Sequence, residues 1–402
     1  MHVFFKKHTK LTVAIIILVA LLFGEVYILA APTLAPDSGM RLVRHADEIV
    51  AACASARYRP TCYEDEIPKL MDRGVSMEDT VRIAGIVQAK DKTYTYCHVL
   101  GHKISAKETA KDPDKWAEVI QRCPSGICSN GCIHGAFQER FRTESLSDSE
   151  IEKYKPEFSN VCEPQNSFNP TGLEQASCYH ALGHLLMYIT RADIPKSLGL
   201  CRELSIKPGM DMSQVCSDGV FMQIFQPLEP DDFDLIKGKE VATGTQRAYC
   251  SAYSGYDKAS CWSESWPLQR EELKAPGAIS RWCNQLSEAG PRERCKHALV
   301  FVYVAQLEFD NEKIGAFCDT MLPEDRGLCY ADGASRLLEN DYRNIERSVA
   351  LCVAAEAKGV GEACYDVMVR TASFTFHAGS PESKRLCGLL PQKWQEHCGT
   401  RP

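Results

Sequence analysis

The chain has 402 residues, 45% of them hydrophobic and 25% charged, with a net charge of −7. This is ordinary globular composition, with far more chain than one small core needs. No Lys/Arg block stands out beyond the N-terminus, which speaks against a nucleic-acid partner.

"MHVFFKKHTK" opens the chain with Lys6, Lys7 and Lys10, and the apolar run "LTVAIIILVALLFG" follows. A basic stretch before an apolar one is an export signal. Pro32 follows Ala31 and Pro36 follows Ala35, which makes both sites poor for cleavage. Leu11 to Ala31 is also about the roughly 20 residues that cross a bilayer, with Glu25 a mild objection. The expectation is one N-terminal transmembrane helix within residues 1–35, a cytoplasmic stub and signal anchor, and a cleaved signal peptide is the alternative. Under either, the remainder is membrane-anchored or released in an extracytoplasmic space, periplasmic or extracellular.

The chain carries 20 cysteines, an even and high count. In an exported protein that reads as disulfides. A zinc–thiolate array would show C-x-x-C pairs, and the sequence has none. After the expected capping helices of residues 36–92, the cysteines fall into pairs. Cys123/Cys132 are 9 apart, as are Cys53/Cys62 before them; Cys162/Cys178 are 16 apart and Cys201/Cys216 are 15. From residue 233 onward the spacing is regular: Cys250/Cys261, Cys283/Cys295, Cys318/Cys329, Cys352/Cys364 and Cys387/Cys398 are each 11 or 12 apart. Pairs starting at Cys283, Cys318, Cys352 and Cys387 step by 34 or 35 residues, the length of a helix–turn–helix repeat. Each first Cys ends an amphipathic stretch ("NEKIGAFC") and each second Cys opens another ("CYADGASRLL"), so a bridge would staple each helical hairpin. Few runs alternate with period two, so sheet is not expected. Cys97 and Cys128 remain; subtraction would pair them, but Cys123, Cys128 and Cys132 crowd one short loop, "CPSGICSNGC", which leaves that pairing open.

"YCHVLGHKI", "SCYHALGHLLMY" and "SVALC…ACYDVMV" resemble the cysteine-rich Sel1-like proteins, a subclass of tetratricopeptide-type α-solenoids. That resemblance implies an all-α superhelix with a concave groove that takes a protein or peptide partner. It does not imply the histidines.

Residues 93–232 hold a duplication. "HVLGH" at His98–His102 matches "HALGH" at His180–His184, and "CIHGAFQERF" from Cys132 matches "CSDGVFMQIF" from Cys216. Histidines four apart share one helix face. His134 and Asp218 hold the same place in the two copies. Of 11 histidines, five sit at these positions. The expected metal ligands are His98, His102, His134, His180, His184 and Asp218. Imidazoles with one carboxylate suit a divalent transition metal such as zinc, copper or iron. A polar ladder between repeats, or metal-free His/Asp catalysis, would use the same residues. No H-E-x-x-H, P-loop or G-x-S-x-G is present, so the catalytic residues are unknown. His297 is expected to cap or fill the core, and Trp262 and Trp266 to pack. Glu139 is read as solvated or, alternatively, as an acceptor behind a ligand imidazole. The fold class expected is therefore an α-solenoid of disulfide-stapled hairpins. Its function is a metal site, of an enzyme or otherwise, with a metal-free protein-binding scaffold as the alternative.

Overall fold

The computed structural model describes residues 37–141, 145–165, 168–228 and 230–398. The expected anchor lies outside these. Among the described residues no helix is long and apolar enough to cross a membrane.

The described chain is mostly helical. The helices that matter here are α1 (Asp37–Cys53), α2 (Arg59–Glu66), α3 (Met77–Lys90), α4 (His98–Thr109), α5 (Trp116–Gln121), α6 (Gly131–Phe141), α7 (Asp148–Asn160), α8 (Gly172–Ile189), α9 (Ile194–Ser205) and α10 (Ser213–Phe225). They continue with α11 (Pro230–Ile236), α12 (Gly255–Glu264), α13 (Ala278–Cys283), α14 (Ala289–Gln306), α15 (Asn311–Asp319), α16 (Arg326–Asn340), α17 (Ile345–Ala357), α18 (Gly361–Thr375) and α19 (Pro381–Leu389). A two-residue antiparallel ladder, Ile206–Lys207 with Met210–Asp211, joins α9 to α10.

Local signals explain the helix starts. Ser147 caps α7 and Thr171 caps α8, each with a Glu three residues on that bonds back to the cap, a full capping box. Asp193 and Asp310 accept from backbone N–H groups at the starts of α9 and α15. The segment after Phe141 is more than the polar excursion its sequence suggests. Phe158 of α7 is fully buried against Trp116 and Phe141.

All ten cysteine pairs are disulfides, including Cys97–Cys128, and no cysteine is free. This content belongs to an oxidising compartment. Nine bridges close loops 9 to 16 residues apart, each worth roughly 2–4 kcal/mol if unstrained.

Eight helices form an inner series. α4, α6, α8, α10, α12, α14, α16 and α18 each pack on the next. Glycines let the crossings come close: a Cβ at Gly183 would lie 2.1 Å from the Cys216 carbonyl oxygen, and one at Gly219 2.1 Å from that of His180. The series then returns to its third helix. α18 packs on α8, and Phe374 fills the space beside Gly172. Arg343 donates to the Gly85 carbonyl at 2.8 Å, and Ser129 donates to Asn340 at 2.9 Å. The inner helices therefore make a closed circuit around a polar interior.

Candidate metal centre

Three helices bring the histidines together. α4 carries His98 and His102, α6 carries His134, and α8 carries His180 and His184. A Cβ at Gly131 would lie 2.1 Å from the His98 carbonyl oxygen, and one at Gly135 2.0 Å from that of His102. Only glycine permits that approach, and it sets His134 against both rings. His98, His102 and His134 are buried and offer ligand nitrogens within 4.8 Å of one another, so they could hold a metal ion. The His134 ring lies 4.8 and 4.9 Å from the rings of His98 and His102, and 5.4 and 5.6 Å from those of His180 and His184. It is the hub of five imidazoles.

The nitrogen turned away from the cluster is held in each pair. His98 Nδ1 faces the carbonyl oxygens of Cys128 at 3.3 Å and Ser129 at 3.2 Å. A carbonyl only accepts, so Nδ1 carries the proton and Nε2 a lone pair. His184 Nδ1 lies 2.7 Å from Gln223 Oε1. Gln223 is fixed in turn, because its amide nitrogen donates to Asp232 at 2.7 Å. Asp232 also accepts from Tyr188 and, at 2.9 Å, from the Leu228 N–H. The relay from carboxylate through amide to imidazole puts the His184 proton on Nδ1. His180 turns its Nε2 to His184, and the Val215 backbone lies behind its ring. Gln138 lies beside His102, whose buried Nε2 has no hydrogen-bond partner. Such partners behind the ring are what ligand histidines ordinarily have.

The consequence is sharpest between His180 and His184. Their Nε2 atoms are 3.2 Å apart, and His184 Nδ1 is committed as a donor, so His184 Nε2 carries a lone pair. His180 Nε2 either donates its own proton to that lone pair or, deprotonated, shares a cation with it. Two nitrogens bound tetrahedrally to one zinc ion stand roughly 3.3 Å apart, given bonds of about 2.0–2.1 Å.

A proton is a poor substitute for that cation. Burial first, then the nearby Arg336 charge, pushes His98 down to about 4. Burial likewise drives His102, His134, His180 and His184 below the ordinary range, and for the first three the neighbouring imidazoles add to it. The cluster is a set of neutral donors at neutral pH.

Asp218 sits apart from this nitrogen set. It is 4% exposed, its Oδ2 is held by Arg294 of α14, and its Oδ1 has no hydrogen-bond partner. The guanidinium takes the carboxylate toward α14, whereas His134, its counterpart, turns to the rings of α4. Glu264 is pushed well above the usual carboxylate range by burial and by Asp218. His297 is neither cap nor core. Its Nδ1 lies 2.7 Å from Asp332, which raises its basicity, and its side chain keeps 40% exposure within the circuit of helices. Trp262 packs against Trp282, the rings tilted by 32° with centroids 4.9 Å apart. Met187 is buried in the apolar core. On the outer side, His102 and Gln138 reach a surface cleft of about 440 Å³ that Glu64, Lys103, Glu139 and Leu228 also line.

Sequence reasoning missed Gln138, Gln223, Asp232, Arg294 and Arg336. Gln223 and Asp232 belong to no motif. Asp232 lies in the acidic break after Phe225, which reads as a linker. The only available signal was position, since Gln223 lies in the duplicated C-x-[H/D]-G helix.

Comparison with protein-family models, with curated proteins and with solved structures finds no match.

Proposed function

We propose that the five histidines form a transition-metal centre, taking zinc, copper or iron, in an extracytoplasmic Sel1-like α-solenoid held to the membrane by its N-terminal segment. The buried His98, His102 and His134, with ligand nitrogens within 4.8 Å of one another, carry this reading, and the facing Nε2 atoms of His180 and His184 add to it. His134 lies between the two pairs and would complete the set with His98 and His102. A bound metal would supply Lewis acidity or activate a water molecule. The chain's own contribution is the all-nitrogen donor set, the fixed tautomers and an enclosed setting that excludes bulk water. The His297–Asp332 pair supports an enzymatic role. Its geometry leaves Nε2 of His297 free to take or give a proton on the interior side.

Elemental analysis of the untagged chain after metal-replete expression is the test. One or two ions per chain are expected, and replacing His180 and His184 together by Ala should remove at least one. His297→Ala should leave the metal content unchanged. A chain without metal, or a double variant with full occupancy, refutes the centre and returns the histidines to a polar ladder in a protein-binding scaffold.

A further inference from the structure

The interior beside the histidines has its own charge pattern. α14 turns Arg294, His297 and Phe301 to one side, at spacings of three and four residues, and α16 turns Asp332, Arg336 and Glu339 toward them. Two of the cations there are matched. Arg294 pairs with Asp218, and His297 with Asp332. Burial raises the pKa of both Glu264 and Glu339, and Asp218 raises Glu264 further, whereas Arg336 and His297 act against the shift at Glu339.

Arg336 is the exception. It is 5% exposed, and its Nε has no hydrogen-bond partner. Its guanidinium lies 3.5 Å from the Phe301 ring centre, with Tyr96 at 6.0 Å and Phe309 at 5.9 Å. Tyr96 in turn stacks on His98, ring centres 5.4 Å apart. Aromatic faces hold the fork flat and leave its edge for a ligand. A buried cation set among aromatic rings, with the buried Glu339 carboxyl as an acidic neighbour and no ion pair of its own, is costly, on the order of several kcal/mol before compensation.

We propose that Arg336 is the anchor for a carboxylate group of the molecule on which the metal centre acts, seated in the interior between His98 and the His297–Asp332 pair. The class follows from the fork and the charges. A planar carboxylate accepts two parallel N–H bonds from a guanidinium. One negative charge balances Arg336. A dianionic phosphate would leave a surplus charge beside Asp218 and Asp332. The metal centre lies on one side of the seat and a proton carrier on the other, an arrangement suited to chemistry on the remainder of a carboxylic acid.

This rests on the metal reading for the reaction but not for the binding, so the two are tested apart. The full chain is stripped with chelator and titrated with ¹³C-labelled acetate, followed by NMR of the acetate signal; inorganic phosphate is the second probe. Saturable acetate binding is expected, at least tenfold weaker in Arg336→Met. Arg336→Lys keeps the charge but loses the fork and should weaken it several-fold. Elemental analysis of the unstripped variants should show the metal content of the parent chain. Equal acetate affinity in Arg336→Met, or in Arg336→Lys where the Met variant does not fold, overturns the assignment. So does tighter binding of phosphate than of acetate, or no saturable acetate binding by the parent chain. A parent chain without metal that binds acetate through Arg336 sinks the metal centre and leaves the carboxylate seat standing.

Discussion

At the scale of single residues, the histidine cluster is a problem of proton placement. His98 titrates near 4 in the folded chain, chiefly because it is buried, and near 6.5 once unfolded. Between those values the unfolded chain holds the extra proton, so acid favours unfolding. The stability that His98 contributes is full above about 6.5 and is lost as pH falls toward 4, roughly 3 kcal/mol in all. The other four cluster histidines shift the same way. We expect metal-free chain to melt at a markedly lower temperature at pH 4.5 than at pH 7.5, and His98→Leu to flatten that slope. An unchanged slope in the variant would show that His98 is not held neutral. His297 should do the opposite, titrating above the ordinary histidine range because Asp332 stabilises its charged form; NMR of the ring protons reads this directly. The cluster was legible because duplication repeats H-x-L-G-H, and a rare residue type at a fixed helical spacing survives translation into space. The partners behind the rings were not. A glutamine or a backbone carbonyl can lie behind any imidazole, and only the fold chooses which.

At the scale of the helix, the crossing of α4 on α6 decides whether the site exists. Gly101, Gly135, Gly183, Gly219 and Gly333 all have neighbours that a Cβ would meet at under 3.0 Å. Helix-period patterning and cysteine spacing carried the hairpins, since both are local. The role of α7 was not legible: its burial depends on Phe158 meeting Trp116, some 40 residues away in sequence. Gly135→Ala puts a methyl group 2.0 Å from the His102 carbonyl oxygen and 2.4 Å from Ser105 Oγ. Neither neighbour on that packed backbone can step aside, so the helices must part. A loss of about 3 kcal/mol is expected, with metal content reduced because His134 leaves the other rings. Gly199→Ala in α9 is the control. No atom lies within 4 Å of the added carbon, and helix propensity alone should stabilise by up to about 1 kcal/mol. Melting curves with elemental analysis of both variants separate a crossing effect from a general loss of glycine.

At the scale of the whole molecule, the C-terminal repeats complete the N-terminal site. The carbonyls that hold His98 Nδ1 belong to Cys128 and Ser129. Cys128, Ser129 and Asn130 have φ of 54°, 48° and 57° in succession. Left-handed backbone of this kind costs of order 1 kcal/mol or more at a residue with a side chain, and persists only where surroundings impose it. Four contacts impose it here. The Cys97–Cys128 disulfide ties the loop to α4, and Asn130 donates to Ser177 of α8 at 3.1 Å. Ser129 donates to Asn340 at the end of α16, and the Tyr342 N–H donates to the Gly126 carbonyl at 3.3 Å, with the Tyr342 ring packed against Gly126. Two of the four come from residues more than 200 positions away, which no local pattern could announce. Closure of the helix circuit is therefore coupled to the tautomer of His98. Tyr342→Ala touches no histidine, and it removes the ring that closes over Gly126. Hydrogen exchange at residues 126–130 should rise, and metal affinity should fall by about tenfold as His98 loses its fixed acceptors. The disulfides should stay intact. Faster exchange with unchanged affinity would show that the disulfide and Asn130 suffice to hold the loop. Slower metal loss from the variant than from the parent chain would reverse the coupling altogether.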